Sequence, residues 1–595
     1  MTTTPHFGVQ LLEPRRLLST IYVDANAPAP HDGTSWGSAY LRLTTALNNA
    51  VSGDTIHVAG GTYYPTTGTN QAATFQLIDG VSIFGGYAGY RSANPDARNI
   101  IGNPTVLSGD IAGTGSSESY HIVTGSGTDS TAVLDGFTIR DGSASASGVG
   151  DPGAGIKNVS GSPTVRNCTF TNDEAAAIGN SANSSPTITN CTFSSNKGTY
   201  ASGGINNDHS NPIVSECTFV NNNTENNFGG GAMWNINSSP TVTDCRFLAN
   251  EAIGPVGAAR GGAVYNDTSS ANFTNCLFVG NTSVGLGGAI DSTGTATVTC
   301  INCTFYENGN PISGSDMPGA FYGGAIDDQD ATTILTNCIL WHDFATTGPE
   351  IHHSGGGGVN VSYSDVEGGA IGTGDIDAAP HFVTPGVPGP DGKYLGSDQR
   401  LLSGSPCVDD GDNSAVPAGI VRDLEGASRF FDVPGVHDPG AIVDMGAYER
   451  PNLVLSPVGS YQIGLNPLLT IHFNEPINPA SLNVNDLVLD RPGSVPLNTS
   501  FFSQLSYNAK SLTATWTFIR PLPDDNYNAI LPAGSVLDQF DYPTETDSVT
   551  PFFFLGGDAN QDRKVDATDL GILSLNWQQS GRSYSQGNFN LSPDG

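Results

Sequence analysis

The chain has 595 residues, with 57 acidic and 22 basic side chains and a formal net charge of −35 at pH 7, yet charged residues are only 13% of it. Such an anionic chain is repelled by a phosphate backbone, so no nucleic-acid partner is expected; anionic membranes and polyuronates are opposed likewise unless a cation intervenes. No stretch approaches the ~18 consecutive apolar residues of a transmembrane helix, and 37% hydrophobic content with 75 glycines leaves room for one elongated repeat domain with appendages.

Residues 1–20 contain Leu12-Glu13-Pro14-Arg15-Arg16-Leu17-Leu18-Ser19. This segment resembles the LEPR-x-LL motif of bacterial exported proteins. The resemblance implies export, although a signal-peptide apolar core is lacking and the true start is expected to lie elsewhere. Ile21-Tyr22-Val23-Asp24-Ala25-Asn26 and Gly33-Thr34-Ser35-Trp36 follow, and then Leu43, Ala46, Leu47 and Ala50 recur at helical spacing between Leu41 and Val51. A short helix plugging the open end of a stack is expected there.

A phrase of the form N-C-x-F then repeats, at Asn167-Cys168-Thr169-Phe170, Asn190-Cys191-Thr192-Phe193, Glu216-Cys217-Thr218-Phe219 and Asp244-Cys245-Arg246-Phe247. It returns at Asn275-Cys276-Leu277-Phe278, Asn302-Cys303-Thr304-Phe305 and Asn337-Cys338-Ile339-Leu340, with successive Cys 23, 26, 28, 31, 27 and 35 residues apart. A drifting period of this size marks a solenoid whose coils carry loops of unequal length. Strand alternation puts each Cys and Phe on one side with a third inward column, Val165, Ile188, Val214, Val242, Phe273, Cys300 and Leu335. The Cys are therefore expected to be buried small hydrophobes rather than metal ligands or disulfide partners. The residue at the bend, usually Asn, is expected to accept left-handed angles and to join a ladder. A further strand per coil reads Ile156, Ile178, Ile205, Met233, Val264, Ile290 and Ile326 inward, each followed by an outward residue.

Residues 21–450 thereby resemble the right-handed parallel β-helix of the pectin-lyase-like superfamily. Gly374-Asp375-Ile376-Asp377, Gly404-Ser405-Pro406-Cys407-Val408-Asp409-Asp410-Gly411 and Asp444-Met445-Gly446-Ala447-Tyr448-Glu449 resemble the choice-of-anchor Q module, assigned to 371–450. The resemblance implies an all-β, secreted or cell-surface protein.

From 451 to 556 the segments Leu469–Pro476, Ala514–Phe518 and Tyr527–Gly534 resemble strands of a bacterial Ig-like β-sandwich. Residues 557–595 open with Asp558, Asn560, Asp562, Lys564 (through its carbonyl), Asp566 and Asp569 at EF-hand loop positions 1, 3, 5, 7, 9 and 12. This is a hard-cation oxygen set, so Ca²⁺ is the expected cofactor. The segment resembles the first calcium loop of a type I dockerin, with Leu570, Leu573 and Trp577 on its packing helix. Arg563 replaces the usual Gly at position 6. A second repeat opens at Gly587-Asn588-Phe589-Asn590 and stops at Gly595, so cohesin docking is not expected.

No lyase or polygalacturonase motif is present around the five basic residues of 151–350 (Lys157, Arg166, Lys197, Arg246, Arg260), which face 17 acidic ones. What stands out is the outward column Trp234, Tyr265, Asp291, Asp327, with Asp328 beside it. The two aromatics could stack on sugar rings. Asp291, Asp327 and Asp328 are the candidate catalytic carboxylates, at a spacing near that of a retaining glycosidase, and could equally hold Ca²⁺. A third reading is that Trp234 and Tyr265 pack beneath loops 251–260 and 309–322. The expectation is contact with extracellular polysaccharide or a cell-envelope component, with a polysaccharide-degrading hydrolase or lyase as the alternative.

Overall fold

The computed structural model describes residues 19–111, 113, 118–144, 151–199, 201–225, 229–254, 257–311, 319–386, 396–402, 404–433, 442–450, 455–456, 467–473, 476–492, 501–537, 544, 547–577, 579 and 583–586. The LEPR-x-LL motif (apart from Ser19) and the second dockerin-like repeat lie outside the described residues.

Each coil lays down three short strands, for example Ile156–Val159, Thr164–Arg166 and Thr169–Thr171. Each strand pairs in parallel with its counterpart one coil on. The strands accumulate into parallel sheets of ten, twelve and eleven strands, here the Ile, Val and Phe sheets after their inward columns. The register is that of the sequence columns. Val165 pairs with Ile188, then Val214, Val242, Phe273, Cys300 and Leu335 follow in order. Phe170, Phe193, Phe219, Phe247, Phe278 and Phe305 stack face to face with centroids 4.6–4.8 Å apart. All nine Cys are free and buried.

The coils close because their corners take unusual backbone. Asn167, Asn190, Glu216, Asp244, Asn275, Asn302 and Asn337 all sit at φ between +50° and +55°, the left-handed well that Asn and Asp tolerate best. The glycines before the Ile sheet answer a different need: a Cβ on Gly262 would strike the carbonyl of Gly288, one on Gly288 that of Gly324, and one on Gly324 that of Pro349. The open N-terminal end is covered by the helix Leu43–Asn49, whose Leu43, Ala46 and Leu47 join the solenoid core. No described helix is long and apolar enough to cross a membrane.

Two features depart from the sequence reading. Stacking does not run to Glu449; the sheets end at Ile351–Ser354, Gly358–Ser362 and Asp365–Val366. The chain then folds back along the outside of the Phe sheet. There Phe382, Leu401, Cys407, Met445 and Tyr448 pack on outward-facing Leu277, Val279, Tyr306 and Ile339. Ala447 N donates to Thr304 Oγ1 (2.9 Å), Asn275 Nδ2 to the Arg422 carbonyl (2.8 Å), and Asp412 N to Asn337 Oδ1 (2.7 Å).

Beyond residue 450, strands Leu455–Ser456, Leu468–Phe473, Phe502–Asn508 and Thr513–Phe518 form one antiparallel sheet, and Val488–Asp490, Asp525–Leu531 and Ser548–Phe554 another. A core containing Trp516, Tyr527, Phe473 and Phe518 is shared by residues of both. The helix Ala567–Asn576 follows, with Asp566 and Asp569 forming its capping box.

Candidate functional site

Alternation along the Ile sheet decides which side chains face outward. In register, Asn206, Trp234, Tyr265, Asp291, Asp327 and His352 form one outward row over successive rungs, each about 4.8 Å from the next. Trp234 and Tyr265 stack with centroids 6.2 Å apart and an interplanar angle of 19°. Asp291 and Asp327 occupy adjacent rungs, as the sequence predicts.

The aromatic pair is not an open platform. Tyr265 is only 6% exposed, with Arg260 lying 5.4 Å over its ring and its hydroxyl 3.1 Å from that of Thr293. Trp234 is partly exposed, but its Nε1 is buried without a hydrogen-bond partner. The carboxylates are covered too, both at 0% exposure. Arg260 Nη1 donates to Asp291 Oδ2 (3.0 Å), His352 Nδ1 to Asp327 Oδ1 (2.5 Å) and Gln329 Nε2 to Asp327 Oδ2 (3.0 Å). Tyr322 leans on His352 with ring centroids 4.6 Å apart. The row thus sets two adjacent carboxyls, Asp291 and Asp327, between Arg260 and His352, beneath a loop layer. Asp291 Oδ1 remains buried and unpartnered. Burial pushes its carboxyl up to about 7; Arg260 holds it down and the Asp327 charge pushes it further up.

Asp328 does not belong with the pair. As the residue after Asp327 it points to the opposite face, in register with Ser292 and His353. It accepts from Ala331 N (2.9 Å) and the Thr333 hydroxyl (3.0 Å), with His353 Nδ1 3.5 Å away. Its place is on the buried inward face of the strand Ile326–Gln329, bonded to the turn that follows and off the outward row. Arg260 and His352 were missed by the sequence reading. His352 carries a signal, since Ile351-His352 repeats the inward–outward phrase of Ile326-Asp327; Arg260 carries none, because its loop has no period.

At the C-terminal loop, Asp558 accepts from Asp562 N (3.1 Å) and Arg563 N (2.8 Å). Asp562 accepts from Lys564 N (3.0 Å), and Asp569 from Ala559 N (2.8 Å) and Asp566 N (2.9 Å). Arg563 adopts φ +72°, the conformation for which Gly is usual at that position. Its guanidinium is anchored 4.4 Å over Phe553 and 2.9 Å from Asn526 Oδ1. The donor set is all oxygen and suits a hard cation in kind. Yet among the described residues no three His, Cys, Asp or Glu side chains converge as a metal cluster. The helix face read as packing is open instead, with Leu570 64% and Trp577 66% exposed.

No curated protein is significantly similar to the chain. Among solved structures it is similar to pectate lyase Pel9A, at 14% identity and a TM-score of 0.41 over 73% of this chain and 98% of that one. It is also similar to XylC in complex with xylose, at 9% identity and a TM-score of 0.27 over 72% and 99%. A family model described as the right handed beta helix region matches residues 122–305, the stretch whose coil register is set out above.

Proposed function

We propose that this is an exported, extracellular or cell-surface β-helix protein that contacts polysaccharide or a cell-envelope component through the outward row of the Ile sheet, without transforming it. The observation that carries this reading is the contrast within the row. Trp234 is partly exposed and stacked on Tyr265, over which Arg260 lies, whereas Asp291 and Asp327 are covered and hydrogen-bonded to Arg260 and His352. A braced indole offers a ring face at little entropic cost. Affinity electrophoresis in gels containing neutral or acidic polysaccharides tests it: retention is expected to fall about tenfold or more on Trp234→Ala and to survive Asp291→Asn.

A second reading, a glycoside hydrolase, is favoured by one observation. Asp291, whose carboxyl burial raises to about 7, lies one rung from Asp327, as the acid and nucleophile of such a pair would. Release of reducing ends that disappears on Asp291→Asn would replace the contact reading with this one.

We further infer that the loop from Asp558 to Asp569 takes Ca²⁺ through Asp558, Asn560, Asp562, Asp566, Asp569 and the Lys564 carbonyl. Support comes from the oxygen donors and from Arg563 supplying the left-handed turn. Terbium luminescence sensitised by Trp577 should appear, compete with Ca²⁺ and vanish on Asp558→Ala; its absence in the unsubstituted protein would reject the site.

A further inference from the structure

Past the last full coil, Ile351–Ser354, Gly358–Ser362 and Asp365–Val366 form the end of the stack, and residues 367–371 follow, with Ala370 packed against its core. Between them lies a cavity of about 900 Å³. Small-molecule sites run from roughly 300 to 1,000 Å³ and are mostly apolar with a few placed polar groups. Here the apolar wall includes Ile351, Val359, Val361, Val366 and Ile371.

The polar groups are almost all acidic. Asp343 and Glu350 line the cavity and are each 5% exposed. Asp343 Oδ1 accepts from Asn308 N (2.6 Å) and Nδ2 (2.8 Å), and Glu350 Oε1 from Asp343 N (3.3 Å). Their other oxygens, Asp343 Oδ2 and Glu350 Oε2, are buried and receive no N–H or O–H of the protein. Glu350 lies against Asp343, and burial together with the Asp343 charge drives the Glu350 carboxyl toward its neutral form. Two buried carboxyls so placed do not ionise together, so the pair keeps one proton. Glu367 adds negative charge, His353 faces Asp328, and the lining contains neither Lys nor Arg.

We propose that this cavity binds a small organic cation, an ammonium group carried on an apolar body, whose charge replaces the proton kept by the Asp343 and Glu350 pair. The exchange balances: the ammonium arrives with its own protons and donates N–H bonds to the two unserved oxygens, while the pair's proton leaves to solvent. An anion would meet no counter-charge. A hard divalent cation would need six to eight oxygens, and no third acidic side chain converges on the pair among the described residues. The site is separate from the outward row of the Ile sheet, and either can fail without the other.

Calorimetric titration of the full chain with n-hexylammonium, in buffers of different ionisation heat, tests the proposal, with n-hexanol as the neutral counterpart. Expected are saturable binding at one site, release of about one proton per ligand, and hexanol weaker by about tenfold or more. Glu350→Gln should lower affinity about tenfold and abolish proton release. Ile371→Arg alters a fully exposed rim position and should weaken binding by charge repulsion with the fold intact, so it decides the matter even if Glu350→Gln does not fold. Equal binding of hexanol, no proton release, indifference to Ile371→Arg, displacement by Ca²⁺, or no saturable binding would each overturn it.

Discussion

Arg260 is one-quarter exposed and faces a carboxylate that is not exposed at all. Replacing it by Ala leaves Asp291 beside Asp327 with His352 as the remaining basic partner in the row. Breaking a fully buried ion pair costs about 3–5 kcal/mol; partial exposure of Arg260 reduces this to about 2–3 kcal/mol on the same scale. The expected outcome is a lowered urea midpoint for Arg260→Ala, mostly restored when Asp291→Asn is added, because the second change removes the stranded charge. Asp291 also sets a pH dependence. Its carboxyl, raised by burial to about 7, is neutral in the native state well above the ~3.9 of an unfolded Asp. Its contribution is therefore full below pH ~4 and is lost as pH rises through about 7. Asp365 and Asp444, each raised by burial to about 6, act with the same sign. His57 and His121, held below the usual value by burial, act with the opposite sign. Comparison with Asp291→Asn cancels all of these. Between pH 5 and 8 the parent should lose stability relative to that variant, and parallel urea midpoints would show that Asp291 is ionised in the native state.

The coils are held by rows as well as by columns of apolar residues. Asn196 donates through Nδ2 to Asn222 Oδ1, and the pattern continues through Asn250, Asn281 and Asn308 to Asp343 at 2.8–3.0 Å. Each amide in turn serves a carbonyl of an earlier Phe strand, as Asn250 Nδ2 does for Phe219 O (3.0 Å). Asn250→Ala would strip partners from Asn222 N, Asn222 Nδ2, Asn281 Oδ1 and Phe219 O at once. With about 1–3 kcal/mol for a buried group left unmade, its cost should approach the ~3–5 kcal/mol of Phe219→Ala, although it removes almost no apolar surface. Denaturant midpoints of the two variants make the comparison. This row also marks what the sequence discloses. Val165, Cys168 and Phe170 are legible because strands alternate with period two and the coil repeats the phrase, so each column is over-determined. Asn250 and Asn281 look like any turn Asn, since nothing local distinguishes an amide pointing inward from one facing water. At the site, alternation placed Asp291 and Asp327 on one row and should have removed Asp328 from it. A cover over Tyr265 by loop 251–260 is legible from the length of that loop, but not that Arg260 supplies it, because the loop has no period.

At the scale of the whole chain, the fold-back from Ile376 to Arg450 closes along the solenoid flank around an internal charge cluster. Arg429 is wholly buried, 3.2 Å from Glu449 and donating to the Gly446 carbonyl, while Glu449 accepts from Asp444 N and donates its own N–H to Asp423. Arg429→Met keeps the volume and strands the acids, so a loss of about 3–5 kcal/mol is expected. It should appear as proteolysis of the flank before the stack itself is cut; simultaneous cleavage would mean that the flank and the stack unfold as one unit. The net charge of −35 therefore includes acids such as Glu449 and Glu350, which burial drives toward the neutral form, and the effective charge is smaller. The amide rows carry one more consequence. The inner row donates toward the C-terminal end and stops at Asp343, whereas at the outer bends Asn190 donates back to Asn167 and Asn167 to Asp135. A carboxylate can receive but cannot pass a bond on. Each row thus carries its own full stop inside the stack, the inner one at Asp343 and the outer one at Asp135 and again at Asp244, where Asn275 donates to it, so the amide bonding is divided into finite runs along the solenoid.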